Sequence, residues 1–243
     1  MQDNLSHVRV VLLSMGPAPF PPGQPLSLAL INGRPLFTYH LQMLERQGFR
    51  KITILSDVSD KLKSALVSFN SSRLTIDYLP YLKTGGVCAS IKNVPHDSGQ
   101  DKFVLIRGDM ISTMNMTELV FQHNKNYSVV TVPYKNILTW TKKIITSDVF
   151  SVCLNGFELE KVDVPTDVGV YLLSASVLDY LPVESEILDE MFPAFLKNNL
   201  CLNSYMLSSD VVYFKLYDLY DLQRFMQTGM QQVEHKIRNG WDE

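Results

Sequence analysis

Cross-linking residues are scarce in this sequence. Cysteine occurs three times in 243 residues, at Cys88, Cys153 and Cys201, and no two are spaced as Cys-x-x-Cys. An odd, sparse set argues against a disulfide framework and fits a reducing compartment, where each thiol is expected to act as a small buried hydrophobe. The five histidines include no His-x-x-x-His pair, so spacing supplies no metal cluster. Charge of one sign is also missing. The 22 basic and 25 acidic residues leave a formal net charge of −3, which makes no electrostatic case for nucleic acid or an anionic membrane surface. The longest apolar runs, such as Val10–Ser14 and Val168–Leu173, fall far short of the roughly 18 residues that a spanning helix needs. Met1–Asn4 shows neither a basic nor an apolar signal region. The expectation is a cytoplasmic chain, with no membrane and no nucleic acid among its partners.

What is present is a 46% hydrophobic content, enough to bury the core of a single α/β domain. Val8–Ser14 reads as a buried strand that stops at Met15-Gly16-Pro17. The run Pro17–Pro25 is too proline-rich for helix or central strand. Pro35 then opens a helix with Leu36, Tyr39, Leu41, Met43 and Leu44 on one broad face, closed by Gly48. Further strands are expected at Lys51–Leu55, Leu74–Tyr78, Phe103–Arg107 and Ser128–Val132. Helices are expected at Asp57–Phe69, from Thr84 through Ile91, and at Thr117–His123. Four strand-then-helix repeats indicate a mostly parallel, Rossmann-like sheet with helices on both faces. The second half is less regular. It reads as a β-rich insertion with a hairpin around Ser147-Asp148, a strand at Val168–Leu173, helical segments at Ala175–Leu181 and Ser185–Leu196, and short strands at Tyr205–Leu207 and Val211–Leu216. A long helix from Asp218, with Leu219, Leu222, Phe225, Met226, Val233 and Ile237 apolar, is expected to pack across the domain or to bind a partner.

In an open α/β sheet, ligands sit beyond the carboxyl ends of the strands. Gly16, Gly85-Gly86 and Gly108-Asp109 fall at such ends. Asp109 can hold a hard divalent cation that bridges phosphate oxygens, or it is a turn aspartate. Gly85 and Gly86 would let a backbone approach a base or phosphate, or they are a plain loop. Glu160-Lys161 is read residue by residue as an exposed charge pair.

Taken in order, these positions resemble the sugar-phosphate nucleotidyltransferase family, whose domain is of the GT-A type. The resembling stretches are Val10–Gly16, Asn32–Leu41 with Leu44, Gly48–Ile54, Phe103–Asp109, Glu160-Lys161 and Asp167–Tyr171. The resemblance covers roughly residues 8 to 225. It implies one domain over 1–243, with a nucleotide-binding-type half (8–135), a sugar-phosphate-type half (136–217) and the C-terminal helix (218–243). It places a nucleotide at Gly16, Gly85, Gly86, Gly108 and Asp109, a sugar phosphate at Glu160, Lys161 and Gly169, and Mg2+ on Asp109. Enzymes of the family join a nucleoside triphosphate to a sugar 1-phosphate and release pyrophosphate. Their catalysis is positioning plus neutralisation of phosphate charge.

The chain departs from that pattern at each charged contact. The family's glycine-rich loop with its arginine is replaced by Gly16 followed by Pro17-Ala18-Pro19-Phe20-Pro21-Pro22, and proline has no N–H to offer a phosphate. The family's phosphate-facing lysine aligns with Leu26, and its second metal-binding aspartate aligns near Lys215. Each loss is expected to cost about 100-fold or more in rate. A narrower similarity fits the losses. Phe103–Thr117 is similar to the epsilon subunit of the guanine-nucleotide exchange factor for eukaryotic translation initiation factor two, whose gamma and epsilon subunits carry such a domain as a non-catalytic assembly module. Any exchange activity would need another polypeptide.

Two functions follow from the resemblance. One is a catalytically degenerate module that assembles with other subunits of a complex or as a homo-oligomer, needs no cofactor, and presents an apolar patch over Leu74–Leu82 or Val168–Leu181. The other is a divergent active nucleotidyltransferase with a nucleotide or nucleotide-sugar ligand and Mg2+.

Overall fold

The computed structural model describes residues 5–14, 25–67, 69, 71–82, 84–95, 101–148, 151–182, 185, 190–216 and 219–241; side chains at 59, 138–148, 151–161 and 219 are not described. The strands are β1 (Arg9–Ser14), β2 (Leu30–Ile31), β3 (Arg34–Pro35), β4 (Lys51–Ser56), β5 (Thr75–Pro80), β6 (Lys102–Arg107), β7 (Met110–Ser112), β8 (Val130–Asp148), β9 (Ser151–Asp167), β10 (Val170–Ser174), β11 (Leu202–Met206) and β12 (Tyr213–Lys215). The helices are α1 (Leu36–Arg46), α2 (Ser59–Ala65), α3 (Gly86–Lys92), α4 (Met116–Lys125), α5 (Met191–Lys197), α6 (Leu219–Arg224) and α7 (Met230–Asn239), with a π-turn at Phe225–Gly229 joining the last two.

The main sheet runs β11-β8-β10-β6-β1-β4-β5, with β9 paired to β8. β6, β1, β4 and β5 are mutually parallel, β11 is parallel to β8, and β10 runs antiparallel between β6 and β8. The expected mostly parallel α/β sheet is therefore present.

β1 is apolar along its length because both of its faces are covered. Val10 and Leu12 join Ile52, Ile54, Val104 and Ile106 beneath α1, α2 and α4, while Val11 and Leu13 join Leu55, Phe103 and Leu105 beneath α3 and α5. Alternate side chains of one strand thus feed two cores. Each such fully buried side chain contributes about 2 kcal/mol. α1 buries its second face, Leu36, Tyr39 and Met43, against Leu222, Phe225, Met230 and Val233. The C-terminal helical segment packs across the domain, as expected for one of its two readings.

Several expectations change. α2 ends at Ala65 rather than Phe69, where Val67 and the serine- and asparagine-rich stretch beyond it favour helix poorly. α3 starts two residues late because Gly85 (φ +88°) and Gly86 (φ +67°) are left-handed. The hairpin around Ser147-Asp148 is the tip of a ribbon of 19 and 17 residues. Met226 is 39% exposed, and of the thiols expected to be buried Cys201 is exposed while Cys88 is buried. The expected apolar patch is absent over Val168–Leu181, while over Leu74–Leu82 the apolar side chains are half-buried. Leu74, Ile76 and Tyr78 pack on the core, Val168 and Val170–Leu173 are buried, and only Tyr180 in that second stretch is a large exposed hydrophobe. Within the described residues, no helix is long and apolar enough to cross a membrane.

Candidate functional site

The candidate site lies at the carboxyl end of β6. Gly108 follows the strand and donates its N–H to the Leu13 carbonyl of β1 at 2.9 Å. A Cβ at Gly108 would lie 2.5 Å from both that oxygen and Phe37 Cε1, so only glycine permits the approach. The turn brings Asp109 back onto the face of the residue two positions before it. Arg107 grips it with both ends of the guanidinium, Nε to Oδ1 at 3.1 Å and Nη2 to Oδ2 at 2.9 Å. Both side chains are 22% exposed. Burial works against the charged guanidinium, yet the hydrogen bonds and charge of Asp109 prevail and hold the Arg107 pKa above its ordinary value.

Gly169 stands against this turn. Its carbonyl accepts from Arg107 N–H at 2.8 Å, its φ is +70°, and a Cβ would run into Met110 Sδ. Asp167 shapes the approach: its Oδ1 accepts from Gly169 N–H at 2.8 Å and from the Tyr171 hydroxyl at 2.7 Å. Beneath the site His40 is buried, with Nε2 donating to the Met110 carbonyl at 2.7 Å; burial lowers its pKa. β12 pairs with β7 so that Lys215 is the register partner of Met110, and Leu216 donates its N–H to the Asp109 carbonyl at 2.8 Å. Tyr213, whose pKa is raised by burial and then by Asp167 and Asp109, reaches Met110 Sδ with its hydroxyl at 3.8 Å.

Gly108, Asp109 and Gly169 therefore meet. Gly85 and Gly86 do not join them: they follow β5, and β1 and β4 lie between β5 and β6. Gly85 is instead tied to Ser185, whose N–H donates to its carbonyl at 3.3 Å. On the ribbon, Glu160 pairs in register with Thr141 and Lys161 with Trp140. Lys161 is six residues from Asp167, roughly 20 Å along a strand. Gly16 and Pro17–Pro22 lie outside the described residues. Leu26 is buried among Ile31, Leu36 and Ile111.

The donor set does not fit a divalent cation. Both oxygens of Asp109 are taken by a guanidinium, the adjoining strand position carries a lysine, and no group of three or more metal-ligating side chains forms among the described residues. Arg107 is the site residue that the sequence reading missed. Its signal was its position two before Asp109 across the Gly108 turn, within reach of a guanidinium.

The chain matches no protein-family model and no curated protein. Solved structures share its fold. HddC from Yersinia pseudotuberculosis superposes with a TM-score of 0.70 at 17% identity, over 91% of this chain and 99% of that one. HddC complexed with GMP-PN gives 0.67 at 18% identity, over 91% and 99%. A putative glucose-1-phosphate thymidylyltransferase from Bacillus anthracis, in complex with a sucrose, gives 0.69 at 16% identity, over 90% and 94%. The fold is nucleotidyltransferase-like.

Proposed function

We propose that this chain, built on a nucleotidyltransferase-like fold, is a catalytically degenerate module that serves as an assembly or regulatory subunit. The observation that carries the reading is the bidentate pair between Arg107 and Asp109. A carboxylate that should bind a metal is neutralised within its own turn, and Lys215 beside Met110 adds a further cation where a second metal ligand would be needed. An in-line attack on a triphosphate depends on neutralising charge at the reacting phosphates. With the carboxylate committed to arginine and Leu26 buried in the core, that support is lacking. The similarity of Phe103–Thr117 to the epsilon subunit supports a role for the module in the exchange factor of translation initiation factor two.

The expected result is that the purified chain, mixed with a nucleoside triphosphate, a sugar 1-phosphate and Mg2+, releases no pyrophosphate above background. The native chain in cell extract should elute well above its monomer size, in stoichiometric association with the other exchange-factor subunits. Pyrophosphate release that disappears in Asp109→Asn would overturn the reading in favour of an active nucleotidyltransferase. Elution as a lone monomer would overturn the assembly role.

A further inference from the structure

The main sheet ends at β5 on one side and at β11 on the other. An open sheet edge is a template for another strand, and proteins ordinarily blunt it with charge or proline. β5 follows that rule. It carries Asp77, ion-paired to Arg9 at 2.8 Å, and stops at Pro80. β11 does not. It reads Leu202-Asn203-Ser204-Tyr205-Met206, inside a run from Asn198 to Ser209 that has neither a charge nor a proline.

The backbone of β11 fixes which groups are on offer. The Cys201 carbonyl accepts from Val129 N–H at 2.9 Å, and Leu207 N–H donates to the Tyr134 carbonyl at 2.8 Å. Odd-numbered residues thus turn their peptide groups toward β8, and Leu202, Ser204 and Met206 turn theirs away from the sheet. Among the described residues β11 pairs with β8 alone. The side chains alternate as well. Leu202 packs on the core beneath α3 and α5, and Tyr205 on the core beneath α1, α2 and α4. Met206, on the same face as Leu202, is 58% exposed.

We propose that β11 is a self-association edge, at which two copies of this chain join antiparallel about a two-fold axis at Ser204 and form one continuous sheet. The strand is self-complementary in that register. Ser204 meets Ser204 of the second copy and Leu202 meets its Met206, so every outward N–H faces an outward carbonyl. On one face the exposed Met206 covers the half-buried Leu202 across the strands, and on the other Asn203 stands opposite Tyr205. Charge fits too. Lys197 and Asp210 bracket the uncharged run, and antiparallel pairing brings the lysine end of one copy to the aspartate end of the other. The contact is isologous, so it closes as a dimer rather than growing. It gives the assembly role proposed above a surface and rests on that reading only for its use in a larger complex. Its test uses the purified chain alone, so either can fail without the other.

Analytical ultracentrifugation and disulfide trapping test this. Wild type at about 100 µM should sediment as a dimer. Ser204→Pro should sediment as a monomer with an unchanged circular dichroism spectrum, because the N–H it removes faces away from β8. In a background carrying Cys153→Ser and Cys201→Ser, Ser204→Cys should form a disulfide-linked dimer under mild oxidation. Its Cα would lie about 5.5 Å from its counterpart, within the span of a disulfide. Met206→Cys in the same background would lie roughly 14 Å from its own counterpart and should cross-link about tenfold less. A monomeric wild type would overturn the proposal. So would a dimer that survives Ser204→Pro, or equal cross-linking of the two cysteine variants.

Discussion

Gly108→Ala is expected to lower the unfolding free energy by about 3 kcal/mol, the upper range for overpacking a buried site, and the melting temperature by about 10 °C. Two of the atoms in the way cannot step aside. The Leu13 oxygen belongs to the backbone of β1, in the middle of the sheet, and Phe37 is wholly buried beneath the same strands. The added methyl would also lengthen the bond from Gly108 N–H to that oxygen, which fixes the turn presenting Asp109 to Arg107. Gly33→Ala is the comparison. Its φ of +77° makes alanine unfavourable, but nothing lies within 4 Å of the new carbon, so the cost should be torsional and about 1 kcal/mol. Urea denaturation of both variants measures the difference. Equal losses would mean that contact geometry at Gly108 is not what demands glycine.

Acid should destabilise the protein through a different buried group. His123 in α4 has Nδ1 2.9 Å from the Thr131 hydroxyl and Nε2 3.2 Å from the Ser174 hydroxyl. Burial, and then the charge of Lys102, lowers its pKa to about 4. The unfolded chain protonates this ring near pH 6.5, so above that pH the group has no effect on stability. As pH falls from 6.5 toward 4, the unfolded state binds the proton first and stability drops, by about 3 kcal/mol in all. His40, buried under the candidate site with its pKa also lowered by burial, acts in the same direction. His123→Asn should therefore flatten the fall in denaturation midpoint between pH 7 and pH 4.5 relative to wild type. An unchanged slope would show that the ring takes up its proton as readily folded as unfolded.

The parallel half of the fold was legible because its physics is written in runs of residues. A strand covered on both faces must be continuously apolar, as Val10–Leu13 and Phe103–Ile106 are, and each is followed by a helix whose inner face repeats every three or four positions. The ribbon was not legible at its true length. Its middle is polar at Thr139, Thr141, Lys142 and Lys143, and only short apolar pieces near its tip stood out as strand. In the tail the π-turn widens the helix between Phe225 and Gly229, so the ordinary period does not tell that Phe225 is buried and Met226 exposed. At the site, Asp109 and Gly108 were found from their place at a strand end. Arg107 was passed over as the last residue of an apolar strand, although the reach of its guanidinium decides what Asp109 can do.

The reversed strand β10 has a consequence for synthesis. As the nascent chain leaves the ribosome, β1, β4, β5 and β6 can assemble as soon as residue 107 emerges, but the outer edge of β6 pairs only with β10, whose last residue is 174. For some sixty-seven residues of translation, an apolar edge built around Val104, Leu105 and Ile106 stays uncapped and available to any neighbouring strand. Polypeptides stopped before position 170 should pellet or remain on chaperones, and release into the soluble fraction should begin once Val170–Ser174 has cleared the exit tunnel.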